Sequence, residues 1–371
     1  MKIPRELTEV TPEYLTKILL KNGHIKQGCV ESLSIRKDIV GVNSNSAHFE
    51  IKYSSDSKGE KNTKFFIKLD KNDNEAKFYI YLAENEINLD VIIKCYYADF
   101  DNKAKSSILI FKDYADIHEP PIDLAAFVPR FNVPNDDKYF GMIESLAEFH
   151  AHWWEDNSLY KQDSIFNSEM WNNDTRKVIK EWAEDCRKDW NKFLTVEKNW
   201  LPKETISLFD NAIDNFEFVW KKYFHSRVLE KKHYTLINGD SYFQQFLCLS
   251  KESKEKTKLI DFQDVHINNP ARDLIHLIIK KLNPAQRYYK NREQKLLKHY
   301  HKTLKRFGVV NYSFEQLMID YRVELSFILF FSLWDYSYQG SDDPYWWYKF
   351  QNVNHAYIDL KCAELFKEER K

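Results

Sequence analysis

Only 8 glycines and 5 cysteines stand among 371 residues. So little glycine, beside hydrophobic residues at 43% and aromatic residues at 16%, excludes a fibrous or low-complexity chain and leaves a folded one with bulky cores. The cysteines, Cys29, Cys95, Cys186, Cys248 and Cys362, are odd in number, scattered and without a C-x-x-C pair, which argues against a disulfide framework and a zinc knuckle. Net charge is missing too. The 55 basic and 56 acidic side chains nearly cancel to −1, so there is no overall field of the kind that gathers nucleic acid. Long apolar runs are also absent: the longest, around Phe327 to Leu333, is too short and interrupted to span a bilayer, and the opening MKIPRELTEV has no apolar core of signal-peptide length. The expectation is a cytoplasmic protein with neither nucleic acid nor membrane as a partner.

A chain longer than the roughly 250–300 residues at which single cores stop growing has room for two lobes. Thr11-Pro12-Glu13 before YLTKILLKNGH reads as a capped amphipathic helix, with Thr at the cap and Pro at the first helical position. From Val30 to Leu69 the pattern turns to alternation, in VESLSIRKDIV, SAHFEIKY and KFFIKL separated by polar turns, and predicts an antiparallel meander. Asn72-Asp73-Asn74 can cap a helix carrying Phe78, Tyr79 and Leu82 on one face, and Ser107 to Phe111 reads as another strand. Beyond Pro120-Pro121 almost everything has helical period, apart from short apolar runs between Tyr234 and Val265. The reading is therefore an α+β fold: residues 1–112 a small lobe with antiparallel sheet and helices, and residues 113–371 a large, mainly helical lobe.

The chemistry is written most densely in YTLINGDSYFQQFLCLS and TKLIDFQDVHINNPARDLIHL. Asp240 and Asp261 each end an apolar run, and so belong on loops at strand ends where side chains can converge on a ligand. Either carboxylate alone is ordinarily a turn former. Together they suit phosphoryl transfer, which needs a positioned metal, a lysine on the phosphates and a carboxylate near the accepting hydroxyl.

N-G-D-x4-Q, followed by I-D-F-Q and P-A-R-D-L, resembles the H-G-D-x4-N, D-F-Q and D-L pattern of aminoglycoside-phosphotransferase-like kinases, and the D-F-Q form is most similar to the ecdysteroid-kinase-like (CHK) branch. E-A-K-F-Y at Glu75 and L-A-E-F-H-A-H-W-W at residues 146–154 agree in order, so the resemblance runs from about residue 10 to at least residue 280. It implies a protein-kinase-like bilobal fold and an ATP- and Mg²⁺-dependent transfer of the γ-phosphate to a hydroxyl of a small molecule. By matching position it implies Asp240 as catalytic base, Asp261 and Gln245 as metal ligands, Lys68 on the α- and β-phosphates with Glu75 as its ion pair, and Asp273 as a buried brace for the catalytic loop. Ser44, Asn45 and Ser46 would cover the phosphates with their backbone N–H groups; a Ser/Asn-rich hairpin turn accounts for them equally well.

This chain departs from the pattern at two places. Asn238 stands for the family's His, and Gln245 for its Asn, an amide longer by one methylene in a site where Mg²⁺ demands near-ideal octahedral geometry. These departures keep open a second reading, a nucleotide-binding pseudokinase without turnover. His150 and His152 are at i and i+2, do not share a helix face, and read as packing residues. The aromatic stretch with Trp334, Tyr336, Trp346 and Trp347, near Asp335, Asp342 and Asp343, is compatible with a ring-bearing or cationic acceptor and equally with helix packing.

Overall fold

The hydroxyl of Thr11 accepts the N–H of Tyr14 at 3.2 Å, and Pro12 opens the helix Pro12–Lys21 behind it, as the sequence predicts. The structure, a computed structural model, describes residues 2–36, 45–122, 132–166, 175–339 and 344–366. The chain divides into two units, Met1–Glu119 with Leu247–Val265, and Pro120–Phe246 with His266–Lys371.

The first unit is built on a five-stranded sheet in the order Val30–Ile35, Ser46–Tyr53, Lys64–Asp70, Ser106–Lys112, Cys95–Asp101, with antiparallel neighbours throughout. Alternation along Lys64–Asp70 buries Phe65, Ile67 and Leu69, which join Leu15, Ile18 and Leu19 of the first helix in one core. Ile67 is fully enclosed, and truncating such a residue to Ala costs ~2–5 kcal/mol. The intervening positions, Phe66, Lys68 and Asp70, belong to the other face. Aromatic contacts continue from there: Phe66 to Phe111, Phe111 to Tyr79 at 4.9 Å, and Phe78 stacked on Phe262 at 4.4 Å. Phe78 and Tyr79 lie in the helix Asn74–Glu84. Its first turn is closed by the Asn72 side chain, which accepts the N–H of Asn74 at 2.9 Å. Phe262 arrives with the returning segment Leu247–Val265, whose Cys248 and Leu249 pair with Glu119 and His118.

The second unit is mainly helical. Asn135 caps Asp136–His152 by accepting the N–H of Lys138 at 2.9 Å, and this helix packs on Arg292–Arg306. Ala271–Leu277 packs on Phe314–Ile328. A short antiparallel ladder pairs Thr235–Ile237 with His266–Asn268, and it delivers the loop that starts at Asn238. The mixed α/β architecture with an antiparallel sheet and a helical second unit is the fold class the residue pattern predicts. Among the described residues, no helix is long and apolar enough to cross a membrane.

Candidate active site

The residues singled out in the sequence fall in two polar constellations, one in each unit. In the first, Lys68 stands on the central strand and donates from Nζ to Glu75 Oε2 at 2.7 Å and to Asp261 Oδ1 at 3.0 Å. A third carboxylate, Asp70 Oδ2, lies 3.6 Å from the same ammonium. Glu75 is only 2% exposed, because its helix begins directly under the lysine, and its other oxygen accepts the N–H of Phe262 at 3.3 Å. Burial pulls the Lys68 ammonium down, but the Glu75 and Asp261 carboxylates outweigh it and hold the lysine well above its ordinary value, charged at any physiological pH. Burial also drives Glu75 upward, opposed by Lys68 and reinforced by Asp261.

The D-F-Q segment is fastened to this centre residue by residue. Phe262 is fully buried against Phe78. Gln263 donates from its side-chain amide to Asp70 Oδ2 at 2.9 Å, while its backbone carbonyl accepts from the Asn74 side chain at 3.2 Å. Asp261 adopts a left-handed backbone, φ 58°, a conformation that costs of order 1–3 kcal/mol and that Asp tolerates better than most residues. The anchors on either side hold it there, with the carboxylate 35% exposed.

In the second unit the organiser is Asp273, buried without exposure. Its carboxylate accepts the backbone N–H of Asn238 at 2.8 Å and of Gly239 at 3.0 Å, and meets His150 Nε2 at 3.1 Å. On the other side of the ring, His150 Nδ1 is hydrogen-bonded with the Tyr300 hydroxyl at 2.7 Å. Burial raises Asp273, but His150, His276 and the Asn238 N–H outweigh it and keep the carboxyl below its usual range. Gly239 takes φ 89°, open to glycine and strained for other residues, and the loop turns so that Tyr242 N–H reaches the Asp240 carbonyl at 2.8 Å.

This turn presents the Asp240 side chain, 37% exposed, 3.3 Å from Nδ1 of the buried His276. Burial lifts the Asp240 carboxyl above its ordinary value; Lys280, Lys281 and Lys349 pull it partly back, and Asp273 adds to the rise. His276 is held far below its usual range by burial and by Lys280, so it is neutral and donates from Nδ1–H. Gln245 ends a single 3₁₀ turn, Phe243–Gln245, and is 6% exposed. Its side-chain amide makes no hydrogen bond among the described residues.

Over residues 40–333 the sequence matches the DUF1679 family, whose description reads "Uncharacterized oxidoreductase dhs-27". The chain belongs to this family. A search of curated proteins finds no match for this DUF1679 member. Among solved structures it is similar to a putative aminoglycoside phosphotransferase from Ralstonia eutropha JMP134, at 11% identity over 94% of this chain and 98% of that one with a TM-score of 0.53. It is also similar to an ethanolamine kinase from Plasmodium vivax, at 14% identity over 94% of this chain and 89% of that one with a TM-score of 0.50. At such identities the likeness shows the fold, which is that of protein-kinase-like small-molecule kinases, as the resemblance implied. The word oxidoreductase belongs to the protein named in the description. The 8 glycines of this DUF1679 chain nowhere take the G-x-G-x-x-G spacing of a dinucleotide-binding turn.

Of the residues singled out in the sequence, Lys68, Glu75 and Asp261 come together in the first unit, while in the second Asp240 lies on the loop that Asp273 holds from the helix Ala271–Leu277. Ser46 lies directly across the ladder from Lys68, and the Asn45 carbonyl accepts the N–H of Leu69 at 2.9 Å. Ser44, Asp342 and Asp343 lie outside the described residues. Trp346 is buried at 5% exposure, with Tyr336 at 4.8 Å, and Trp347 packs against Trp200 at 4.9 Å, whereas Trp334 remains 63% exposed. Asp335 is held by Lys349 at 2.8 Å. Sequence reasoning missed Asp70, His276, Lys280, Lys281 and Lys349. The Lys280-Lys281 pair so soon after the D-L helix was the available signal.

Proposed function

We propose that this protein transfers the γ-phosphoryl group of ATP to a hydroxyl of a small molecule. The observation that carries the reading is Lys68 gripped by Glu75 at 2.7 Å and Asp261 at 3.0 Å. This Lys–Glu–Asp grouping is the one that orders nucleotide phosphates in kinases.

The donor set suits magnesium. Among the described residues no group of three or more His, Cys, Asp and Glu forms a cage of its own. Mg²⁺ in phosphotransferases needs none, since one or two protein oxygens are completed by phosphates and water. Asp70, Glu75 and Asp261 around a single ammonium leave an excess of negative charge for a cation to offset, and Gln245 has an uncommitted hard oxygen. In this reading Asp261 and Gln245 hold the ion, which when bound offsets the charge on the phosphate oxygens.

Lys68 would hold the α- and β-phosphates, with Glu75 fixing its direction, and the backbone at Asn45 and Ser46 would lie alongside. Asp240 would accept the acceptor's hydroxyl proton as the new O–P bond to the γ-phosphorus forms and the bond to the β-phosphate oxygen breaks. ADP then departs with that bond's electron pair, and Asp240 returns its proton to solvent. A raised Asp240 pKa suits a base that must receive a proton and lose it again. Asp273 would act as a positioning residue, through the two backbone N–H groups that it holds.

The test combines thermal shift under ATP, with and without Mg²⁺, and ATP turnover against a panel of small alcohols. Asp240→Asn should abolish turnover while Mg·ATP still stabilises the fold. Nucleotide binding with no turnover across the panel would favour a pseudokinase, and absence of Mg·ATP binding would sink both readings.

A further inference from the structure

Three lysines are buried around Asp240: Lys280 at 9% exposure, Lys281 at 4% and Lys349 at 9%. Lysine is almost never buried to this degree without a counter-ion, because an unmatched ammonium away from water costs several kcal/mol. The neighbouring charges are nearly all committed. Lys349 is bound to Asp335 at 2.8 Å and Arg272 to Glu324 at 3.0 Å. Lys281 lies over the Tyr242 ring at 4.6 Å. Lys280 has no carboxylate at ion-pair distance and no side-chain hydrogen bond among the described residues; its ammonium faces only the Phe331 ring, at 5.5 Å, which Arg272 shares at 6.0 Å. The carboxylates acting on Lys280 are Asp240 and the already paired Asp335, set against Lys349 and Arg272. Among the described residues Lys280, Lys281, Lys349 and Arg272 stand against Asp240, Asp273, Asp335 and Glu324; Lys280 has no ion pair of its own, and Asp240, its side chain 37% exposed, is the carboxylate that acts on it most.

We propose that Lys280 receives an anionic group, a carboxylate or a phosphate ester, on the molecule whose hydroxyl meets Asp240, so that the acceptor is a hydroxylated anion. The inference rests on the reading of Asp240 as the base for the acceptor. The unpaired Lys280 ammonium disfavours a cationic amino alcohol beside it, and Asp335 is spent on Lys349. A neutral alcohol would leave the Lys280 charge unmatched. An anion removes that cost when it binds, and fixes its own hydroxyl relative to Asp240.

The experiment is calorimetric titration of the full chain with two matched pairs of probes. These are 4-(hydroxymethyl)benzoate against its methyl ester, and glycerol 3-phosphate against glycerol. The anionic member of at least one pair should bind about tenfold or more tightly than its neutral partner, the scale of one charge-assisted hydrogen bond, and the pair that discriminates identifies carboxylate or phosphate as the source. Lys280→Met should erase the preference and Lys280→Arg should retain most of it, with circular dichroism melts verifying that both variants fold. Equal binding within both pairs, or a preference that survives Lys280→Met, overturns the proposal. So does a Lys280→Met variant whose kcat falls equally on neutral and anionic alcohols with KM unchanged, since the lysine would then serve the transferred phosphoryl group. Turnover confined to neutral or cationic alcohols overturns it while the kinase reading stands. An anion preference lost in Lys280→Met without any ATP turnover supports the anion site and ends the kinase reading.

Discussion

Asp273 accepts the backbone N–H of Asn238 at 2.8 Å and does so from the oxygen that also meets His150. One buried carboxylate thus fixes both the loop ahead of Asp240 and the histidine from the helix Asp136–His152. Replacing it by Asn leaves a single acceptor oxygen, and the new amide N–H groups must point at a group that is itself a donor. Asp273→Asn should cost about 3 kcal/mol at neutral pH, the scale for stranding partners of a buried charged group. The sign of the pH dependence follows from the lowered carboxyl. Its stabilisation is complete above the ordinary value of about 3.9 and disappears as pH falls through the lowered folded value. Urea unfolding at pH 7 and pH 3 should therefore show a gap between wild type and variant that narrows in acid.

Lys68 and Glu75 predict a different pH signature. Removing the ammonium in Lys68→Met leaves Glu75, 2% exposed, with its strongest opposing charge gone. A carboxyl whose folded pKa is raised makes the folded state hold more protons than the unfolded one, so stability falls as pH rises from the unfolded value toward the folded one. Lys68→Met should lose about 3 kcal/mol or more near pH 7.5 and less near pH 4.5. Adding Glu75→Gln should recover much of the loss. Four unfolding curves at each pH complete the double-mutant cycle, and an equal deficit at both values would mean that Glu75 is not the residue left unpaired.

Local order in the chain explains which parts of this centre were legible. Thr11-Pro12 carries its own cap and the alternation of KFFIKL its own strand, so both could be read without neighbours. Lys68, Glu75, Asp240 and Asp261 were legible because each belongs to a short motif in a fixed order. The strand Cys95–Asp101 was not, since CYYADFD breaks alternation with polar residues on a half-buried edge. Nor was the bond from Gln263 to Asp70, which depends on the segment Leu247–Val265 returning to the first unit. His150 reads as a packing residue in the sequence, and in the structure it is buried, but its bond to Asp273 spans a sequence distance that no local pattern encodes. The buried lysines were hidden by a sound rule. A lysine is ordinarily solvated, and only tertiary packing shows that Lys280 is not.

Lys280 carries a cost that titration should expose. Burial first, then Lys349, push its ammonium down to about 8, against an ordinary value of about 10.4. The unfolded chain then binds more protons between these two values, so this lysine makes stability rise with pH across that window. At 1.36 kcal/mol per unit the contribution is roughly 3 kcal/mol. Lys280→Met should be more stable than wild type below pH 8, and the advantage should shrink toward pH 10.5 as the native lysine loses its proton. Chemical denaturation at pH 7 and pH 10 measures both ends. No advantage at pH 7 would mean that the charge is already matched within the protein, against its availability to a ligand.

In the proposed reading, Gln245 decides how complete the magnesium site is. Its amide has no hydrogen bond among the described residues, and the residue is 6% exposed, which leaves its oxygen uncommitted. If its oxygen holds the ion, Gln245→Ala should raise the Mg²⁺ concentration needed for half-maximal stabilisation by ATP roughly tenfold, the scale seen when a residue supporting a metal is removed. ATP binding without Mg²⁺ should be unchanged. Gln245→Asn shortens the reach by one methylene while retaining the oxygen, and should fall between Ala and wild type if the loop has adapted to the longer amide. Should Asn need less Mg²⁺ than Gln, the longer side chain is what weakens the site, and turnover ought to rise in the same variant. A Mg²⁺ requirement identical across all three side chains would remove Gln245 from the ligand set and leave Asp261 to hold the ion with the phosphates.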